Sequence, residues 1–208
     1  MRETGVREGH VEAGGVRCRY QDAGEGPALV HLTAPRGSSL TPAHRLLAQR
    51  FRVIALETPG VPPSPEVAAT LAGALQSLGL ERFNLMATAR EAVTALWLAL
   101  HAPERVLAMV LEAPAAMPGV SREANLERRL PALATPTLVL VGTRDDVAGP
   151  SPGRVYKALM PGAHLVFVYD AGPAVGADRP EAFAEVAIDF LERHEAFVIS
   201  RAATVIHP

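Results

Sequence analysis

The chain has 208 residues, 49% of them hydrophobic, and a formal net charge of -2 at neutral pH. This length and apolar content suffice to bury one substantial core, so we expect a single domain over residues 1–208. The slightly negative charge provides no basic footprint for nucleic acid or an anionic membrane surface, and neither partner is expected. Cys18 is the only cysteine, which excludes an internal disulfide and a cysteine metal cluster.

The distribution of charged residues favours a cytoplasmic protein. The opening residues, MRETGVREGH, contain no apolar core of the kind found in secretory signal peptides. Arg and Glu interrupt each apolar run before it reaches the roughly 18 residues that a membrane span needs. Lys157 is the only lysine beside many arginines, a bias that suggests a GC-rich bacterial genome.

Apolar runs and turn residues predict the elements in chain order. Residues 7–12 and 16–22 flank the Gly-rich turn 13–15 and predict an antiparallel hairpin. Compact apolar runs predict six further strands: residues 28–33, 51–56, 83–87, 105–111, 137–141 and 164–169. Helical spacing and capping residues predict helices over residues 41–50, 66–78, 91–100, about 121–133 and about 180–196.

Strands and helices alternate after the hairpin, which predicts right-handed crossovers and a mostly parallel sheet. The strand over residues 164–169 is expected to be the last of this sheet. The tail, residues 197–208, contains FVIS and TVI, which have β character. The tail could pack on its own domain, or it could add to the sheet edge of a protein partner or a second copy of the chain.

Residues 84–100, NLMATAREAVTALWLAL, combine the end of an apolar strand, an abrupt turn of small residues and a helix with almost no polar face. This stretch resembles the nucleophile elbow of the α/β-hydrolase superfamily, whose usual form is G-x-S-x-G on a strained strand-to-helix turn. Here the motif reads A-T-A-R-E. The nucleophile position therefore holds Ala89, whose methyl group can neither attack a carbonyl nor carry an acyl group.

Other segments resemble the same superfamily in the same order along nearly the whole chain. They read VRCRYQDAGEGPALVHLTAPRGSS, FRVIALETPG, APERVLAMVLEAP, LPALATPTLVLVGTRDDV and AHLVFVYDAGPAVGADRPEAFAEVAIDFLERH. The resemblance implies an α/β-hydrolase fold, with a mostly parallel central sheet, an N-terminal antiparallel hairpin and helices on both faces. The interval between residues 111 and 137 is too short for the cap domain that many of these proteins carry.

The same resemblance locates the remaining catalytic positions. Where the superfamily has A-G-H, this chain has A-G-P, so Pro173 occupies the position of the catalytic base. Asp145 occupies the acid position, with Asp146 as the neighbouring candidate. The oxyanion loop aligns with residues 32–37 and places Pro35, which has no N–H, at the second donor.

Polar and small residues at the carboxyl ends of the strands form the expected pocket, because ligands of parallel sheets bind there. These are Thr33, Ala34, Pro35, Glu57, Thr88, Arg90 and Glu91. One interpretation is a solvated loop rim with local turn hydrogen bonds. The other is that Arg90 fills the vacated nucleophile position and pairs with Glu57 or Asp145, as a structural ion pair or a small anion site.

No histidine restores a base at this position. His31 lies inside a central strand and is expected to be a hydrogen-bonded core residue, whereas His44 is expected to be solvated on a helix surface. The others lie near the chain termini or away from the pocket. No histidine and carboxylate spacing suggests a metal site, and no Gly-rich phosphate motif follows a strand, so no metal and no cofactor is expected.

The pattern favours a protein of the α/β-hydrolase fold without an intact triad, a pseudohydrolase that acts as a non-catalytic binding or assembly partner. An alternative is a hydrolase of a small ester or related acyl substrate, with displaced residues such as Thr88 or Ser39 and a remote base. A further alternative is a small-molecule receptor that uses a shallow pocket.

Overall fold

The computed structural model describes residues 5–36, 40–116, 124–160, 162–197 and 205–206. These residues form a nine-stranded sheet with helices on both faces. The strands are β1 Arg7–Ala13, β2 Val16–Ala23, β3 Ala28–Thr33, β4 Arg52–Glu57, β5 Phe83–Thr88, β6 Val106–Glu112, β7 Thr137–Gly142, β8 Ala163–Val168 and β9 Val205–Ile206.

The helices are α1 Pro42–Leu47, α2 Pro65–Ser77, α3 Glu91–His101, α4 Ala124–Arg129, α5 Ser151–Leu159, α6 Val175–Asp178 and α7 Pro180–Arg193. Two of them start at side-chain caps typical of helix N-termini. Thr41 caps α1, and Ser64 caps α2. Single turns of 3-10 helix follow α4 and α7.

The strand order is β1-β2-β4-β3-β5-β6-β7-β8-β9. Strands β4, β3, β5, β6, β7 and β8 run parallel to one another, whereas β1 and β2 form an antiparallel hairpin at one edge, with β2 also antiparallel to β4. This architecture confirms the fold predicted from the sequence. Because the carboxyl ends of parallel strands meet at one edge of the sheet, the ends of β3, β5 and β6 lie side by side there.

The expectation that residues 164–169 form the last strand is wrong. β9 continues the sheet beyond β8, in antiparallel register, with Phe167 opposite Ile206 and Val168 opposite Val205. This part of the tail thus packs on its own chain, one of the two arrangements expected. Residues 198–204 and 207–208 lie outside the described residues.

Two apolar cores cover the two faces of the sheet. One contains the buried residues of α2, α3, α4 and α5, including Trp97. The other contains those of α1, α6 and α7, including Phe183 and Phe190. The sequence did not predict α5 or α6, and the first three residues of the helix predicted over about 121–133 lie outside the described residues.

Candidate functional site

The elbow is a strained turn between β5 and α3. Ala89 has a φ of 51°, in the left-handed region that residues other than glycine rarely adopt. Its N–H donates to the carbonyl of Glu112 (3.1 Å), and its carbonyl accepts from the N–H of Ala115 (3.1 Å). Arg90, with a φ of -63°, is already helical. The positive φ thus falls on Ala89, the turn residue between β5 and α3, and not on Arg90.

Pro173 lies at the same cavity as Ala89. The loop that carries it is held against the end of β7 by close backbone contact. A Cβ added to Gly142 would overlap the carbonyl oxygens of Ala171 and Gly172, so only glycine permits this approach. The N–H of Arg144 also donates to the carbonyl of Ala171 (2.8 Å).

Asp145 is buried, with 8% of its surface exposed. One carboxylate oxygen, Oδ1, accepts the backbone N–H groups of Val147 (3.0 Å) and Ala148 (2.9 Å). The other, Oδ2, is buried and has no hydrogen-bond partner among the described residues. Buried polar atoms are normally paired, and this oxygen is an exception to that rule.

The cavity at the carboxyl edge of the sheet has a volume of about 630 Å³. Of the expected pocket residues, Thr33, Ala34, Thr88, Arg90 and Glu91 line it, together with Ala89 and Pro173. Pro35, Glu57 and Asp145 do not line it. Its remaining lining residues are His31, Leu32, Thr41, His44, Glu112, Ala174 and Ala177.

The ion pair considered for Arg90 does not form in the structure. Among the described ion pairs, none joins Arg90 to Glu57 or to Asp145. Arg90 is exposed at the mouth of the cavity, while Glu91, the first residue of α3, is 7% exposed. Glu91 Oε2 accepts a long hydrogen bond from the Thr94 hydroxyl (3.4 Å).

A chain of polar side chains, all buried except the half-buried Thr88, lines the cavity. His44 Nε2 lies 2.6 Å from His31 Nδ1, and His31 Nε2 lies 2.9 Å from the hydroxyl of Thr88. That hydroxyl donates to Glu112 Oε2 (3.1 Å). The other oxygen of Glu112 accepts the backbone N–H of Gly176 (2.7 Å). We call His44, His31, Thr88 and Glu112 the polar chain.

The direction of each hydrogen bond in the polar chain follows from its first donor. The backbone N–H of Thr41 points at His44 Nδ1 (2.9 Å), and a backbone N–H can only donate. Neutral His44 therefore carries its proton on Nε2 and donates to His31 Nδ1. By the same rule His31 carries its proton on Nε2 and donates to Thr88, whose own proton goes to Glu112.

Burial disfavours the charged forms of His44, His31 and Glu112 in the polar chain. It lowers the pKa of His44 from 6.5 to about 4. The pKa of His31 is also lowered well below 6.5, by burial and then by the nearby His44. Both imidazoles are thus neutral at pH 7. Burial raises the pKa of Glu112 above 4.5, an effect that the hydrogen bonds from Gly176 and Thr88 oppose.

The sequence interpretation of His44 is wrong. Only 2% of His44 is exposed, because α1 packs its first turn against β3 and stacks this ring on His31, with centroids 4.7 Å apart. The expectation for His31, a hydrogen-bonded core residue, is confirmed, although His31 also reaches the cavity. Glu112 was missed because the strand was predicted to end one residue earlier; its position at a strand end was the available signal.

The described ranges contain neither a cluster of metal ligands nor a helix that could cross a membrane. No group of three or more His, Cys, Asp or Glu residues there is arranged to hold a metal ion. None of the described helices combines the length and the apolar run required to cross a membrane.

Solved hydrolase structures superpose on most of the chain. Naproxen esterase from Bacillus subtilis is 13% identical, with a TM-score of 0.77 over 91% of this chain and 92% of that one. An esterase from Thermogutta terrifontis is 18% identical, with a TM-score of 0.74 over 91% and 99%. A CIB-like hydrolase from Thermoplasma acidophilum is 20% identical, with a TM-score of 0.73 over 90% and 98%.

No family model matches the sequence, and no curated protein matches it significantly. The strand order, the strained elbow after β5 and the superpositions together define the class: the chain has the α/β-hydrolase fold. At this level of identity the likeness covers the fold alone, and function has to be argued from the site.

Proposed function

We propose that this chain is a single-domain, capless pseudohydrolase, which binds a ligand in the cavity at the carboxyl edge of its sheet without cleaving it. The observation that carries the proposal is the pairing of Ala89 and Pro173 at one cavity. A methyl group and a pyrrolidine ring stand where covalent attack and proton transfer would take place. Neither group can perform its step.

The unpaired oxygen of Asp145 supports a lost base. In a triad the acid accepts an N–H from the histidine and fixes its orientation. Here Asp145 Oδ2 is buried without a partner in the described part of the chain, beside a loop whose Pro173 has no N–H. The acid has been retained while the residue that it would orient is gone.

The size of the loss argues against residual turnover of the ordinary kind. In triad enzymes, removal of the nucleophile or base costs on the order of a million-fold in turnover, with roughly a thousand-fold left to the oxyanion hole and binding. The oxyanion hole is also weakened, because Pro35 has no N–H at the second donor position. The backbone N–H of Arg90 at the start of α3 is the donor that remains.

The cavity itself has the properties of a ligand site. Its volume, about 630 Å³, falls within the ~300–1,000 Å³ of typical small-molecule pockets. Small apolar residues line much of it, and a few polar groups converge on its floor: His31, Thr88, Glu91 and Glu112. Removing the nucleophile and base leaves these binding features in place.

One contact favours a second candidate, a hydrolase with a displaced nucleophile. The hydroxyl of Thr88 donates to Glu112 Oε2 at 3.1 Å, and a buried carboxylate with a raised pKa is a suitable general base. His31 is not the base for Thr88, since its Nε2 carries a proton in the polar chain. This candidate therefore depends on Glu112 alone to remove the proton.

A fluorophosphonate probe, with intact-mass detection and an ester panel, separates the two candidates. We expect the wild-type chain to remain unlabelled and to hydrolyse no ester above the buffer rate. Stoichiometric labelling of the wild-type chain would overturn the pseudohydrolase proposal. Loss of that labelling in Thr88→Val and Glu112→Gln would then identify the displaced pair.

The double variant A89S/P173H provides the positive control. It introduces a hydroxyl at the elbow and an imidazole at residue 173, the position that the resemblance gives to the base. We expect the double variant to acquire probe labelling faster than A89S alone, because the serine then has a base. Equal labelling of the two variants would mean that Asp145 and residue 173 no longer form a working geometry.

A further inference from the structure

Four side-chain hydrogen-bond donors in the cavity wall, those of His44, His31, Thr88 and Thr33, are already used. In the polar chain, the ring N–H of His44 goes to His31, that of His31 to Thr88, and the hydroxyl proton of Thr88 to Glu112. The hydroxyl of Thr33 donates to the carbonyl of Leu56 (3.3 Å). These described side chains therefore offer a ligand no free donor.

Acceptors remain in the same wall. The carboxylates of Glu112 and Glu91, at 5% and 7% exposure, each have oxygen lone pairs beyond the hydrogen bonds described, since an ionised carboxylate has about four acceptor sites. Both groups line the cavity. The buried part of the wall thus offers more acceptors than donors, and a ligand that binds there gains by supplying N–H or O–H groups.

The charges in the cavity point the same way. Burial holds His31 and His44 neutral at pH 7, so the interior contains two acidic residues and no imidazolium charge. Arg90 is the cation that lines the cavity, and it is exposed at the mouth, where solvent screens it.

Helix N-termini favour negative charge, and at the start of α3 a side chain of the protein already supplies that charge. Glu91 already occupies the first turn of α3 and is buried there. Its carboxylate supplies the negative charge that this helix end favours. An incoming anion would meet Glu91 and Glu112 at close range without a buried cation to offset them.

Apart from Thr41 and Arg90, the rest of the lining is apolar and suits a small hydrocarbon body. Its members are Leu32, Ala34, Ala89, Pro173, Ala174 and Ala177. A ligand with both properties has a compact apolar part and a terminal group with several N–H donors. A protonated primary amine supplies such a group, since an ammonium has three donors and no acceptor.

We propose that the cavity selects small amphipathic amines, with the ammonium bound by Glu112 and Glu91 and the apolar body lying over Ala89 and Pro173. This inference rests on the proposed non-catalytic binding function and specifies its ligand class. Ala89 has a direct part in it, because its methyl group leaves the floor of the elbow apolar where a hydroxyl would otherwise stand.

The test uses three probes of nearly the same shape on the full chain: benzylamine, benzyl alcohol and benzoate. Isothermal titration at neutral pH, with a thermal-shift assay in parallel, measures the affinity of each probe. We expect saturable binding of benzylamine at millimolar or lower concentration, weaker binding of benzyl alcohol and none of benzoate. A ligand that binds the folded state preferentially also raises the midpoint of thermal unfolding.

Charge-removing variants locate the site. Glu112→Gln and Glu91→Gln should each weaken benzylamine binding by about tenfold or more, because each removes a charge-assisted hydrogen bond. Glu104→Gln, at an exposed position on the opposite edge of the sheet, is the matched control and should bind as the wild type does. If Glu112→Gln fails to fold, Glu91→Gln and the wild-type probe series still decide the matter.

Benzoate that binds as tightly as benzylamine would overturn the amine proposal, and so would the absence of any saturable benzylamine signal. Unchanged affinity in both Glu variants would overturn it as well. These outcomes are separate from the labelling experiment, which tests catalysis. An unlabelled protein that prefers benzoate would keep the pseudohydrolase function and refute its amine ligand.

Discussion

Ala89 adopts the strained backbone of the elbow although its side chain is only a methyl group. An alanine in the left-handed region costs about 1–2 kcal/mol relative to ordinary helical or extended backbone. The hydrogen bonds on both sides of the residue, to Glu112 and from Ala115, hold it there. The strained turn therefore positions a methyl group at the cavity.

Ala89→Gly should therefore stabilise the protein. Glycine adopts a positive φ without the clash of a Cβ, which should raise the free energy of unfolding by about 1 kcal/mol. The larger conformational entropy of glycine in the unfolded chain offsets part of this gain. Urea unfolding measures the difference. Ala69→Gly, at an exposed position inside α2, is the control and should lose about 1 kcal/mol. Equal losses in both variants would show that Ala89 is unstrained.

Residues identified by local spacing could be placed from the sequence. Ala89 follows its strand at the elbow position, and Pro173 stands inside a short recognisable segment, so both were found without coordinates. His44 and Glu112 could not be placed in the same way. Their contact through His31 and Thr88 joins three strands and a helix, and no local pattern in the sequence reports which side of α1 faces the sheet.

At the scale of single elements, α1 combines a helix cap with the start of the polar chain. The hydroxyl of Thr41 accepts the N–H of His44 (3.4 Å), while the N–H of Thr41 donates to the ring of His44 (2.9 Å). This reciprocal arrangement is a capping box with histidine in place of the usual Glu or Gln. The cap thus fixes both the start of the helix and the proton position on His44.

Thr41→Ala should destabilise the protein by about 1–2 kcal/mol, at the upper end for an N-cap. Its hydroxyl also lies 2.8 Å from His44 Nδ1, so the substitution removes a contact from a buried ring as well as a cap. Ser64→Ala, which removes the α2 cap, should cost about 1 kcal/mol or less. Thr41→Ser keeps a capping hydroxyl and should therefore destabilise the protein much less than Thr41→Ala does. Urea unfolding that shows Thr41→Ala no more costly than Ser64→Ala would contradict this account.

The elements predicted from the sequence are those with strong local signals. Strands of five or more apolar residues and the long helices α2, α3 and α7 were recognised. The α5 helix was not, since it contains Pro152 and Gly153 in its first turn, both typical of loops. Gly153 is required by packing, because an added Cβ would lie 2.8 Å from the side chain of Val141.

In the molecule as a whole, the polar chain links α1 and α6, two helices of one layer, to the sheet. It begins at α1, passes through β3, β5 and β6, and ends at the N–H of Gly176 in α6. A fully paired buried network of this kind favours one arrangement of the elements around it. It also makes stability depend on pH, because its members must be neutral or paired to remain buried.

The sign of this dependence follows from the pKa changes. The folded pKa of His44, about 4, lies below its ordinary value of 6.5, so between these values the unfolded chain binds a proton that the folded chain does not. Stability therefore falls as the pH falls through this window, by at most about 3 kcal/mol for His44 alone. His31 acts in the same direction. Glu112, with its pKa raised by burial and by the charge of Asp178, acts in the opposite direction above 4.5.

We expect His44→Gln to flatten the acid side of the stability profile. Glutamine can place an N–H near that of His44 Nε2, but it does not titrate. The free energy of unfolding of the variant, relative to that of the wild type, should therefore improve by up to about 3 kcal/mol as the pH falls from neutral to about 4. Urea unfolding across this pH range measures the difference in free energy of unfolding between the variant and the wild type. His101→Gln, at an exposed position ending α3, controls for loss of a histidine as such. If both variants change their gap to the wild type equally, the buried polar chain is not the source of the acid sensitivity.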